Sequence, residues 1–280
     1  MYRKECFGLK IKGIKKIGFY ALSIAFWLFL WQLASVLIGR ELFLPSPVRV
    51  LKVLFSELIY QKSFWTSIAA SLVHIGEGFL LGSVLGILLA IFSYCFNAIK
   101  VLLWFPMKVI KSVPVASFVI LSLLWLRSEN LSVFIPFLMV LPTLYVNTMT
   151  GLEKTDKKLL EMAALFKLSH FKKALHIYIP HIFPYILSAC SLAVGMAWKS
   201  GIAAEIIGLA GNSIGNQLYQ AKLYLMTPEL FAWTIIIVFL SILCEQSIHG
   251  LARLFTNFDS TNSENRAKQA QIQRNSRKHE

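Results

Sequence analysis

The sequence predicts an all-α integral membrane protein with about six transmembrane helices, and three observations carry that prediction. Of its 280 residues, 56% are hydrophobic and only 15% charged, with a mean hydropathy of +0.63, too apolar for an ordinary soluble domain. About six windows are long and apolar enough to cross roughly 30 Å of hydrocarbon: 17–39, 66–96, 101–126, 131–151, 181–209 and 230–253. The net charge of +14 collects in three segments that alternate with apolar ones.

Those segments are the N-terminus (Arg3, Lys4, Lys10, Lys12, Lys15, Lys16), the stretch 153–180 (Lys154, Lys157, Lys158, Lys167, Lys172, Lys173) and the tail (Arg253, Arg266, Lys268, Arg274, Arg277, Lys278). An even number of crossings separates each from the next, so the positive-inside bias puts all three, and both termini, in the cytoplasm. Such placement favours membrane lipid as a partner and argues against nucleic acid.

Residues 1–16 form the basic cytoplasmic N-terminus, and 17–39 the first transmembrane helix. That window is longer than the apolar region of a cleavable signal and lacks a small-x-small cleavage site, so a retained span is expected, with the mature chain starting near Met1. In the outer connector, 40–65, Leu44-Pro45-Ser46-Pro47 breaks the chain. Val48, Leu51, Phe55 and Leu58 follow at helical spacing and suggest an amphipathic helix on the outer surface.

The core, 66–254, opens with a helix in which Gly78, Gly82, Gly86 and Ala90 recur every four residues, a stripe that lets another helix backbone approach closely. Packing within one subunit and a seam between subunits both fit it. The window 101–126 is interrupted by Lys108, Lys111 and two prolines. Cys6, Cys95, Cys190 and Cys244 have no metal-type spacing and read as small hydrophobes. The stretch 255–280 is polar and almost free of large hydrophobes, which predicts a disordered cytoplasmic tail.

Within the core, 153–180 is a polar island: EKTDKKLLEMAALFKLSHFKKALHIYIP. A helix starts at Thr155 or Asp156 and carries Leu159, Ala163 and Phe166 on one face; Ser169 caps a second helix with Phe171, Leu175 and Tyr178. A basic two-helix connector between spans presents a docking surface to a soluble partner.

Here a resemblance enters. Glu161-Met-Ala-Ala followed by Ile179-Pro180 resembles the cytoplasmic E-A-A…G…I-x-L-P loop of ABC importer permeases, the type I fold driven by a separate ATPase. Pro184-Tyr185-Ile186-Leu187, Ala197-Trp198, Ala204-Glu205 and the upstream Leu44-Pro45-Ser46-Pro47 look like the nitrate/sulfonate/taurine branch. The resemblance implies a bacterial inner-membrane permease subunit of a binding-protein-dependent importer for a small anionic solute. It further implies a second permease copy, an external substrate-binding protein, and an ATPase subunit that holds ATP and Mg. Carried onto this chain, the ATPase-docking residues are Glu161, Ala163, Ala164, Phe166, Lys167 and Leu168. One departure stands out: Lys167 occupies the place of the family's glycine, whose positive φ a lysine adopts only at a cost, so the turn is expected to be reshaped or displaced to Ser169.

Ionisable groups within spans are costly and hence functional candidates: His74, Glu77, Lys108, Lys111, Lys199, Glu205 and Glu245. Lys199, Glu205 and Glu77 are the candidates for the translocation pathway. Six residues put Lys199 and Glu205 about 9 Å apart along a helix and on different faces. For Lys199, lining the path and pairing with another span both stay open, and Lys111 and Glu245 are placed nearer the membrane interfaces. The glycine- and asparagine-containing run 206–221 reads as an outer-side loop that can carry a short helix, either a gate or a plain connection.

Gly195-Met-Ala-Trp-Lys199-Ser200 is no phosphate loop, because it lacks the glycine before lysine, so this chain is expected to bind no cofactor. His170, His176 and His181 are not spaced to share a helix face, and no metal site or catalytic set is predicted. The competing class is an ion-coupled secondary transporter using Lys199, Glu205 and Glu77, against which the lack of an evident inverted repeat argues. A non-transporting membrane scaffold is the third.

Overall fold

The computed structural model describes residues 13–250, position 249 excepted, and every regular element among them is helical. The tail 255–280 and most of the basic segment 1–16 lie outside the described residues. In chain order the helices are α1 (Gly13–Ile38), α2 (Pro47–Val53), α3 (Lys62–Cys95), α4 (Asn97–Ser112), α5 (Val115–Ser122), α6 (Ser128–Glu153), α7 (Lys157–Leu165), α8 (His170–Lys173), α9 (Ile179–Gly208) and α10 (Ile214–Leu223). The last, α11, is Thr227–Ile248.

Five helical runs are long and apolar enough to cross a membrane: Gly18–Ile38, Lys62–Cys95, Ser128–Glu153, Phe171–Gly208 and Thr227–Ile248. The expected span 101–126 is not straight. It is the pair α4 and α5, bent by 104° at the break, and six crossings result only if that pair counts as one. Pro114 supplies the cause: it has no N–H for a continuing helix, and it holds the preceding Val113 extended at φ −83°, ψ 134°. Pro106, by contrast, is absorbed within α4.

The centre of the bundle is the packing of α3 on α6 and of α6 on α9. Lipid tails are as apolar as leucine, so close packing of small residues must hold such helices together. On α3 the small residues are Gly78, Gly82, Gly86 and Ala90, all buried, and the helix they face is α6 of the same chain. A methyl at Gly82 would lie 2.8 Å from the Phe137 carbonyl oxygen and 2.9 Å from Val140 Cβ; one at Gly86 would lie 2.7 Å from the Leu141 carbonyl oxygen. At Gly78 it would collide with the carbonyl of Val133. The larger core cluster joins these helices to α2, α10 and α11 through Val50, Ile75, Leu144, Trp198, Ile214 and Trp233. Trp198 Nε1–H, on α9, also donates to the Ile237 carbonyl of α11 at 3.0 Å.

The connector helix forms, but its buried face differs from the expected one. Ser46 caps α2 by accepting the Arg49 N–H at 3.3 Å, Pro47 occupies the first turn, and a wider turn, Leu54–Leu58, continues it. Val50, Val53, Leu54 and Leu58 point into the core, whereas Val48, Leu51 and Phe55 are exposed. Helix α1 is held at few points: Trp31 Nε1–H donates to the Pro45 carbonyl (3.1 Å), Ser35 Oγ to the Leu44 carbonyl (3.0 Å), and Trp31 stacks on Phe231.

Candidate functional site

At one end of the bundle, α7 is a short amphipathic helix built from local signals. Asp156 caps it by accepting the Lys158 N–H at 2.9 Å, and the buried Thr155 donates to the Gly151 carbonyl at 3.3 Å. Ala163 anchors it, being 2% exposed, while Glu161, Ala164 and Lys167 are exposed and Leu168 is half-buried. The apolar side chains around this anchor are uncovered: Leu165 is 82%, Phe166 74% and Phe171 76% exposed.

The turn after α7 stays at Lys167, contrary to the expected reshaping or shift to Ser169. Its φ is +50°, the left-handed region where a glycine is favoured. Two hydrogen bonds impose it: Lys167 N–H to the Ala164 carbonyl and Leu168 N–H to the Ala163 carbonyl, each 3.0 Å. This is the reciprocal pattern that closes a helix C-terminus through a left-handed residue.

The second element of the island is not a separate short helix closed by Pro180. Ser169 accepts the Lys172 N–H at 3.4 Å, and the chain then runs helically from Phe171 to Gly208. A wider turn, Ala174–Tyr178, precedes Pro180 and relaxes the ladder where proline has no N–H to give. Tyr178 and Tyr94 hydroxyls meet at 3.4 Å, and Lys100 pairs with Glu153 at 2.7 Å, bracing this end.

The three candidate pathway residues occupy three separate environments. Glu205, on α9, is fully buried. Its Oε2 accepts Ser71 Oγ–H at 2.8 Å and the Gly215 N–H at 3.0 Å, while Ser71 Oγ accepts the Ile214 N–H at 3.0 Å. Ser213 Oγ accepts the Asn216 N–H at 3.1 Å. Three free N–H groups of the first turn of α10 are thus satisfied by three side chains, with the carboxylate at the positive end of the helix dipole. Buried Ser132 lies close enough to Glu205 to interact with the carboxylate. Sequence reasoning missed Ser71 and Ser213; a serine three residues before Asn216 was the available signal for the cap.

Glu77 is exposed and lines an open groove of about 520 Å³ with Leu81, Leu126, Asn130 and Phe137. Lys199 is exposed in a different cavity of about 640 Å³ between α9 and α11, with Glu245 on the facing wall. Lys111 lines a smaller cavity of about 380 Å³ at the α4–α5 break, and Met196 borders both of these last two. Glu245 thus lines a cavity. Among the described residues there is no cluster of three or more His, Cys, Asp or Glu that could hold a metal.

Residues 82–257 match the family model described as "Binding-protein-dependent transport system inner membrane component". The chain is 26% identical over 234 residues to the putative aliphatic sulfonates transport permease protein SsuC of Bacillus subtilis (strain 168), covering 83% of each chain. To the nitrate import permease protein NrtB of Synechococcus elongatus it is 26% identical over 216 residues, covering 72% of this chain and 75% of that one. Among solved structures, an amino acid ABC transporter with histidines superposes with a TM-score of 0.58 at 17% identity, over 72% of this chain and 96% of that one.

Proposed function

The chain belongs to the family of binding-protein-dependent transport system inner membrane components, and from that premise we propose how it works. It is a multi-pass inner-membrane protein with the type I importer permease fold, the membrane-spanning subunit of an ATP-driven importer. Such a system also needs a substrate-binding protein and an ATPase. In our reading two copies of this chain pair, both termini lie in the cytoplasm, and ATP and Mg are held by the ATPase alone. The solute is a small anion of the kind handled by the sulfonate and nitrate relatives.

The observation that carries the reading is the uncovered apolar surface around α7. Leu165, Phe166 and Phe171 surround an anchored alanine and a hydrogen-bonded turn, which is a preformed knob that lacks its socket. We assign that socket to the ATPase, with Glu161 at the contact. Closure of the ATPase dimer then moves two α7 knobs together and rocks the transmembrane halves as rigid bodies. The ion-coupled alternative fares worse, because Glu77, Lys199 and Glu205 lie in three separate environments and Glu205 is fully buried.

The test is mild-detergent purification of the tagged chain from its own host's membranes, with mass spectrometry of its companions. Recovery of an ATP-binding-cassette protein is expected. A chain that arrives alone, together with uptake that collapses with the ion gradient but survives loss of the ATPase, overturns the proposal.

A further inference from the structure

Between α2 with its wide turn Leu54–Leu58, the first turns of α3, and α11, the fold leaves a groove of about 430 Å³ lined by apolar side chains alone. Leu54, Phe64, Ile68 and Ile236 are buried and form its floor, while Phe55, Trp65 and Phe239, each more than half exposed, stand along it. The one polar side-chain atom among these, Trp65 Nε1, is already used, because its N–H donates to the Ile59 carbonyl at 2.9 Å. No side chain in the groove offers an occupant a hydrogen bond.

That chemistry selects the occupant. An extended peptide laid in the groove would strand its amides. A helix about 10 Å across takes up roughly 400 Å³ per turn, so the groove admits about one turn of it. An acyl chain has no polar group to strand and is thin enough to run lengthwise. The surface beside the groove is basic: Lys52 precedes Phe55 by three residues, and Lys62, the first residue of α3, precedes Trp65 by three, so each lies about one turn from a groove residue. Both lysines are exposed, and neither ammonium group is hydrogen-bonded or ion-paired among the described residues. Glu57, two residues from Phe55, falls on the opposite side of its helix, with Glu229 of α11 near it.

We propose that the groove holds one acyl chain of an anionic phospholipid whose phosphate is received by Lys52 and Lys62. Lysine stems lie along apolar walls and carry their charge out to the headgroups, and a tryptophan in the first turn of a span marks the same level. The negative headgroup is what two unpaired lysines at that level attract. The bound chain touches α2, α3 and α11 together, so it fastens the connector to two spans where protein packing leaves a gap. The site needs only the chain's place in a membrane and stands apart from the importer reading.

The test titrates the full-length chain, delipidated in detergent micelles, with phosphatidylglycerol or phosphatidylcholine brominated in the acyl chains. Bromine quenches tryptophan fluorescence on contact, and the share due to Trp65 is the difference between wild type and W65F. That share is expected to saturate near one phosphatidylglycerol per chain, at a concentration roughly tenfold or more below that for phosphatidylcholine. The K52Q/K62Q variant should bring phosphatidylglycerol to the phosphatidylcholine value and leave the latter unmoved, a selective change that no folding defect produces. Equal half-saturation by the two lipids on wild type, or quenching that W65F does not reduce, overturns the site. So does an F55C chain that forms an intermolecular disulfide in intact membranes in full yield, since a second copy then covers the groove.

Discussion

Helix α9 carries two ionisable residues six positions apart whose surroundings are opposite. Glu205 is sealed, with Ser71 and the amide of Gly215 closed around its carboxylate at 2.8 and 3.0 Å. Lys199 faces a cavity and pairs with nothing among the described residues. The difference teaches that an intramembrane charge is not a functional marker by itself. What separates the two roles is whether neighbouring polar groups already engage the charge, as they do at Glu205 Oε2, where a carboxylate meets the first turn of a helix.

Substitutions can break or sharpen that contrast, ranked by expected change in folding stability. Glu205→Ala should cost most, about 2–4 kcal/mol, because it strands a buried amide and the Ser71 hydroxyl. Thermal melting in detergent would show it, and an unchanged melting temperature would erase the distinction between the two sites. Gly82→Val probes the sealed half without any charge: its side chain must displace the Phe137 carbonyl and Val140, at about 1–3 kcal/mol, read in the same melts.

The open surfaces should behave differently. Lys167→Gly relieves a left-handed lysine and should stabilise α7 by roughly 1 kcal/mol or less, visible as slower protease cleavage of the island. Last in stability comes Glu161→Lys, on the exposed face of α7, which should leave the melting temperature unchanged while uptake is lost and ATP hydrolysis continues. Wild-type uptake in that variant would remove Glu161 from the docking contact.

Local signals were the legible ones. The four-residue glycine stripe of α3, the capped start of α7 at Asp156 and the break at Pro45 to Pro47 are all written within a few consecutive residues. The buried face of α2 was not readable, because lipid and core are equally apolar and periodicity cannot tell which of two greasy faces meets protein. Nor was the Glu205 cluster, since Ser71 is 134 residues away in sequence and comes near only after α3, α9 and α10 assemble. The turn at Lys167 shows a third limit. Propensity disfavoured the conformation, and two reciprocal hydrogen bonds overrode it.

The sparse attachment of α1 bears on the order in which the protein is made. Its anchors are Trp31 and Ser35, and while the carbonyls of Pro45 and Leu44 emerge from the ribosome shortly afterwards, the stacking partner Phe231 belongs to the final span. The first helix must therefore enter the bilayer and wait there, its aromatic surface turned to lipid, until the last one arrives. Phe231 is then less a strut than a late contact: the first helix completes its docking only once α11 has been made.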